Sequence, residues 1–307
     1  MNNQKVTDTN KDIKICHISD FHLPIEESFP PYKLLSKRIM GYANLKLLRS
    51  KNHQKEPFLR LLEKITEEKP DMLIATGDLV NLALETEYKN IADIFNSFGY
   101  TKDNLMLVPG NHDRYTPGAQ RKNYFEKSFA KWLDCNGTPP CFPIFKDLGN
   151  IAIIGIDTAV WRGPVSAAGK INKVQLKEIE NIIVEKCKGK KIVAAMHHPP
   201  YKLLDSHLKQ YLSGLYGYKR VLELLKNRNA LVLHGHIHVR TDLLINDTHI
   251  VGVPSASNNH GSHHKKMSFH TFNFDKNGDY KVYSTAYHAK EDQFKTDELL
   301  NGLEMLK

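Results

Sequence analysis

Cysteine is scarce in this chain: there are four among 307 residues, Cys16, Cys135, Cys141 and Cys187, with neither zinc-knuckle nor redox-motif spacing. That spacing implies no thiolate metal site and no disulfide framework, and it makes a reducing compartment the expectation. Long apolar runs are missing too, since no stretch approaches the ~20 residues that a membrane span needs. Residues Met1 to Lys11 are polar and lack the apolar segment of a signal peptide, so the cytoplasm is the expected location. No internal repeat points to a solenoid. Zinc fingers, stacking motifs and RNA-recognition signatures are absent, so the 43 basic against 34 acidic residues, a formal +9, do not make a nucleic-acid binder. The excess favours anionic partners of another kind, such as phosphorylated metabolites or acidic lipid.

Acid is missing locally as well. From Ser28 to Lys55 there is no Asp or Glu, while seven cations, Lys33, Lys37, Arg38, Lys46, Arg49, Lys51 and Lys55, are interleaved with Leu34, Leu35, Ile39, Tyr42, Leu45 and Leu48. Leu35, Ile39, Tyr42 and Leu45 keep helical spacing, which suits either a basic cap-like insertion over about 28–55 or a solvated helix with one buried stripe. The mixture also suits peripheral, salt-sensitive contact with an anionic membrane through Lys37, Arg38, Lys46 and Arg49.

What is present is an alternation of short aliphatic runs and amphipathic stretches. Ile13 to Ser19 and Met72 to Thr76 read as strands, with a helix at Phe58 to Ile65 between them. A second helix, Leu84 to Phe98, leads into Leu105 to Pro109. This βαβ order makes the sheet partly parallel. Tyr115 to Asn136 reads as a helical segment, followed by strands at Cys141 to Phe145, Ile151 to Ile156, Ile192 to Met196 and Ala230 to Leu233. Helices at Val174 to Val184 and Tyr218 to Lys226 separate the later strands, and short strands continue from Thr241 to Thr285. Both halves feed one core, giving a single α/β domain over 12–290, with a C-terminal helix in 291–307.

Five polar corners sit where these runs stop: Asp20-Phe21-His22, Gly77-Asp78, Gly110-Asn111-His112-Asp113, His197-His198 and Gly235-His236-Ile237-His238. Strand ends are where α/β sheets place their ligands. In extended chain Asp20 and His22 would project to one side and share an ion. The corners supply Asp20, His22, Asp78, Asn111, His197, His236 and His238, a set of carboxylate, imidazole and amide donors suited to Mn²⁺, Fe or Zn²⁺. These are too many ligands for one ion. Two divalent metal ions ~3.5–4 Å apart would need a bridging group such as Asp78, and a shared water made acidic by both would attack a phosphoryl group. His112 is placed to protonate the leaving alkoxide, with Asp113 orienting it or capping the turn. Arg114 and His198 are read as substrate contacts. His260, His263 and His264 fit no ligand set and read as a surface loop.

The corners resemble the calcineurin-like metallophosphoesterase family, whose pattern is DxH, GD, GNH followed by D or E, a lone His, then GHxH. The resemblance spans about Ile13 to beyond Val253. It implies a four-layer α/β/β/α sandwich, one metal on Asp20, His22, Asp78 and His238, a second on Asp78, Asn111, His197 and His236, and His112 as the acid. The expected activity is hydrolysis of a phosphodiester or pyrophosphate in a small-molecule or lipid-linked substrate. GHxH and HHPP are similar to the bacterial cyclic-nucleotide phosphodiesterase and lipid-precursor pyrophosphatase branches. Against the enzymes that cleave UDP-2,3-diacylglucosamine stands His112, where they commonly carry Arg; against the compact cyclic-nucleotide enzymes stands the basic insertion. A non-catalytic scaffold of the same fold would have lost ligands, whereas every position here is filled.

Overall fold

A run in which every residue is apolar can be a strand only when both of its faces are covered. In the computed structural model, which describes residues 11–25, 38, 39, 42, 54–203, 206–258 and 263–299, such runs become the centres of two six-stranded sheets. The first half contributes β1 (Ile13–Ile18), α1 (Lys55–Glu67), β2 (Met72–Ala75), α2 (Glu85–Ser97) and β3 (Leu105–Leu107), then two short helices, α3 (Pro117–Arg121) and α4 (Tyr124–Ser128). Next come β4 (Ile144–Asp147), β5 (Ile151–Ile156), β6 (Gly169–Lys170), α5 (Lys173–Lys186), β7 (Lys191–Met196), α6 (His207–Ser213), β8 (Leu215–Tyr216), α7 (Tyr218–Leu225) and β9 (Leu231–His234). The chain continues through β10 (Thr241–Ile245), β11 (Thr248–Gly252), β12 (Ser268–Phe274), β13 (Tyr280–His288) and β14 (Gln293–Leu299).

One sheet runs β14-β13-β12-β1-β2-β3, the other β10-β11-β9-β7-β5-β4. β1, β2 and β3 are mutually parallel, as are β5, β7, β9 and β11, while the outer strands run antiparallel. Successive side chains of a strand face opposite ways. Ile151, Ile153, Val193, Ala195, Leu231 and Leu233 therefore pack into the core shared with the first sheet and with α1 and α2. Their neighbours Ala152, Ile154, Ile156, Ala194, Met196 and Val232 pack under α5 and α7. Helix, sheet, sheet and helix stack as four layers, and the parallel strands of both sheets end at one edge of the sandwich.

Three expectations change. Over Gln293–Leu299 the chain is an edge strand paired with β13, where a C-terminal helix was expected in 291–307; residues 300–307 lie outside the described residues. Cys135 and Cys141 form a disulfide, because the turn through Gly137 brings their Cα atoms to 5.1 Å. Most of the basic insertion lies outside the described residues, but Arg38 donates from Nε to the Leu82 carbonyl (2.8 Å) and from Nη2 to that of Ala83 (2.6 Å). Its guanidinium is thus committed to the domain and is no bilayer contact.

Candidate metal centre

The five corners meet at that edge because their backbones bind one another. Asp20 N–H donates to the Gly77 carbonyl (2.9 Å), Phe21 N–H to that of Asp78 (2.9 Å), and Gly235 N–H to that of His197 (3.1 Å). Ser255 Oγ donates to the Asp20 carbonyl at 2.6 Å. Asp20, His22, Asp78, His236 and His238 all hold left-handed backbone, with φ between 43° and 71°. The extended geometry expected for Asp20 and His22 is therefore not what aligns them: left-handed backbone at both positions does. Such φ values are costly for non-glycine residues and persist only where the surroundings impose them.

Glycine is required at two of these corners by close approach. A Cβ on Gly110 would lie 2.2 Å from Asp78 Oδ1, and one on Gly235 would lie 1.8 Å from Ser19 Oγ and 2.4 Å from Asp20 Oδ2.

Around Asp78 the donors fall into two groups. On one side His22 Nε2 lies 3.5 Å from Asp78 Oδ2, 3.2 Å from His238 Nε2 and 3.8 Å from Asp20 Oδ1, and His238 Nε2 lies 3.1 Å from the same Asp20 oxygen. On the other, His197 Nε2 lies 3.4 Å from Asp78 Oδ1, 3.1 Å from Asn111 Oδ1 and 3.2 Å from His236 Nδ1. The far nitrogens are fixed by carbonyls: His197 Nδ1–H donates to Thr76 (2.7 Å) and His236 Nε2–H to Ser213 (2.8 Å), which turns the remaining lone pairs inward. All seven expected ligands are brought together, and sets of three among them place donor atoms within 4.8 Å of one another.

These residues fit divalent cations. Asp20 Oδ1 is buried with no well-aligned hydrogen-bond donor, facing His238 Nε2 at 3.1 Å, and two pairs of imidazole nitrogens face each other at 3.2 Å, an arrangement that a cation or a shared proton satisfies. Charge tells the same story. Burial pushes Asp78 up, yet His197, His112 and His22 outweigh it and hold the carboxyl well below its usual range. His197 is pushed down by burial, but Asp78 and then Asp20 carry it up to about 9. Burial, then the neighbouring His197, lowers His236 to about 3, leaving it a neutral donor.

His112 stands at the mouth. Its Nδ1–H donates to the Asn81 carbonyl at 2.6 Å, its ring stacks on Tyr115 with centroids 4.8 Å apart, and its backbone N–H donates to Asp78 Oδ1 at 2.7 Å. Asp113 does not touch that imidazole. It accepts the N–H groups of Leu79 (3.1 Å), Val80 (3.2 Å) and Gly110 (2.8 Å), tying two corners together, so its place is that of a turn cap. Neither residue read as a substrate contact is free to be one. His198 is fully buried, donating from Nε2 to the Ala167 carbonyl (2.9 Å) and accepting from Thr158 Oγ1 at Nδ1 (2.8 Å). Arg114 is buried in ion pairs with Glu126 (2.5 Å) and Asp157 (2.9 Å). Sequence reasoning missed Asn81, Thr76 and Ser213, which act through backbone carbonyls and so carry no side-chain signal, and Tyr115, whose aromatic ring three residues after His112 was a visible one.

A buried carboxylate between two imidazole-rich groups, at the strand ends of a four-layer sandwich, defines a metallophosphoesterase fold and site. The calcineurin-like phosphoesterase model matches residues 13–240, and the chain belongs to that family. It is 29% identical over 194 residues to a protein of Arcobacter nitrofigilis named as a probable glycerophosphodiester phosphodiesterase GpdQ, covering 62% of this chain and 64% of that one. The chain thus spans less than two thirds of that relative. The purple acid phosphatase PPD1 of yellow lupin, Lupinus luteus, superposes with a TM-score of 0.59 at 12% identity, over 93% of this chain and 53% of that one, a likeness of fold.

Proposed function

We propose that this chain is a phosphodiester hydrolase using two divalent cations, Mn²⁺ or Fe with Zn²⁺ as a further candidate. Asp20, His22, Asp78 and His238 would hold one, and Asp78, Asn111, His197 and His236 the other. The observation that carries the reading is the placement of His22 and His197 against opposite oxygens of the buried Asp78 carboxylate. Bound there, the cations would supply an acidified water and offset charge on the phosphoryl oxygens. His112 acts on the leaving group. With Nδ1–H committed to Asn81, its Nε2–H donates a proton to the alkoxide as the phosphorus–oxygen bond breaks, and the water oxygen remains on phosphorus. Tyr115 and the Asn81 carbonyl hold the ring in that orientation.

A diester is preferred because the Arcobacter relative is named for one. Pyrophosphate cleavage in a UDP-diacylglucosamine-like lipid precursor and cyclic-nucleotide hydrolysis are the alternatives. A panel with Mn²⁺ separates them: bis(p-nitrophenyl) phosphate, p-nitrophenyl phosphate, a glycerophosphodiester, cyclic nucleotides and UDP-diacylglucosamine. Hydrolysis of the diesters is expected; activity confined to the monoester would overturn the reading. Among the described residues no helix is long and apolar enough to cross a membrane. The proposed setting is the cytoplasm, where the free thiols of Cys16 and Cys187 are at home; the Cys135–Cys141 disulfide is the observation against it.

A further inference from the structure

Beside the metal centre lies a surface that catalysis does not use. The loop after β5 and helix α6 (His207–Ser213) are joined by Ala167 N–H donating to the Leu212 carbonyl at 2.8 Å and by pairing of β6 with β8. The same unit touches the site, because the Ser213 carbonyl at the end of α6 holds His236. This unit exposes large apolar groups: Val165 is 69% exposed, Leu208 65%, Tyr211 62% and Trp161 38%, with Leu208 and Tyr211 three residues apart on one face of α6. The backbone N–H of Trp161 donates to Oε1 of Gln120 in α3 (2.7 Å), tying the loop to that helix. Tyr211 stands 6.3 Å, ring to ring, from Tyr216, over which Arg162 lies at 4.1 Å.

Charge selects the occupant. The two segments that build this unit, 160–168 and 206–216, carry Arg162 and Lys209 and no Asp or Glu, and Lys202 stands exposed just before α6. A second copy of the chain would set this basic field against itself, whereas an anionic lipid surface complements it. Trp and Tyr at the boundary of apolar and polar matter, short aliphatic groups beside them and surrounding Lys and Arg are what interfacial binding needs. We infer that the loop 160–168 and α6 form a docking face for an anionic bilayer, which would bring the metal centre to the lipid–water boundary. The inference gives the phosphohydrolase reading a lipid-derived substrate class, but its test does not depend on hydrolysis.

The test is cosedimentation of the full-length protein with vesicles of phosphatidylcholine alone and of phosphatidylcholine with phosphatidylglycerol, at low and high salt. Binding to the anionic vesicles, weakened by salt, is expected. In the variant Trp161→Ser, Leu208→Ser, Tyr211→Ser that affinity should fall by roughly ten-fold or more, because the apolar area inserted is lost, while hydrolysis of a soluble diester is unchanged. A second variant, Arg121→Ser, Lys202→Ser, Lys209→Ser, should lose the salt-sensitive part. No preference for anionic vesicles in the wild type, or full binding by the apolar variant, would overturn the inference. So would self-association without vesicle binding, lost in the apolar variant, which would assign the face to a second copy. A protein that binds vesicles through this face yet hydrolyses no diester would remove the functional reading and leave the surface standing.

Discussion

Asp78 is buried, left-handed in backbone and opposed by imidazoles on both sides, so its charge is the one feature that both halves of the centre share. Asp78→Asn keeps the shape and removes that charge. Near-complete loss of hydrolysis is expected, with less than full metal content by elemental analysis; a variant that keeps two ions and ordinary turnover would refute the bridging role. His112→Ala should slow turnover by roughly 10²–10⁴-fold, the range for a lost general acid, with metal content intact. The loss should shrink as the leaving-group pKa falls, and equal losses across a series of aryl and alkyl diesters would show that His112 is not the acid. Arg114 separates a structural role from a substrate role. Arg114→Met leaves Glu126 and Asp157 facing each other without their cation, so it should cost about 3–5 kcal/mol in urea denaturation. A raised KM with unchanged stability would restore Arg114 as a substrate contact. At this scale the sequence showed which groups could bind a metal, because Asp, His and Asn after an aliphatic run carry their chemistry in the side chain. It did not show what satisfies them. His198 and Arg114 looked available only because Thr158, Ala167, Glu126 and Asp157 lie far along the chain or in a separate element.

Elements set the corners by packing their turns to within a single atom's breadth. Gly235→Ala would drive a methyl group into Ser19 and Asp20, so overpacking of about 1–3 kcal/mol is expected, together with weakened metal binding on the Asp20 side. Gly118→Ala is the control: in α3 the nearest atom to the added methyl is Thr116 Oγ1 at 3.9 Å, and a small gain of about 0.5–1 kcal/mol should follow from the lost glycine freedom. Thermal melts of both with metal removed by chelation measure packing alone, and equal effects would contradict the corner geometry. The parallel strands were legible because β5, β7 and β9 are apolar on both faces and are separated by amphipathic helices. Their order in the sheets was not, since nothing local in Ser268–Phe274 states that it pairs with Ile13–Ile18. β14 was misread for a physical reason: an edge strand with one partner keeps Lys295, Asp297 and Glu298 exposed, and such polarity resembles a solvated helix.

Across the whole molecule, candidate ligands from residue 20 to residue 238 converge only because two sheets, each drawing strands from distant parts of the chain, are packed together. The fold therefore precedes the site, and a chain stripped of metal should keep its sheets while losing activity. Far-ultraviolet circular dichroism before and after chelation is expected to change little, and collapse of the sheet signal would mean that the ions build the fold. The most direct test of a two-ion centre is the metal stoichiometry of the chelator-stripped protein titrated with Mn²⁺, followed alongside bis(p-nitrophenyl) phosphate hydrolysis. Two bound ions per chain, with activity absent before loading and restored as the second site fills, is the expected result. Full activity in the stripped protein, or saturation and full turnover with a single ion, would contradict it.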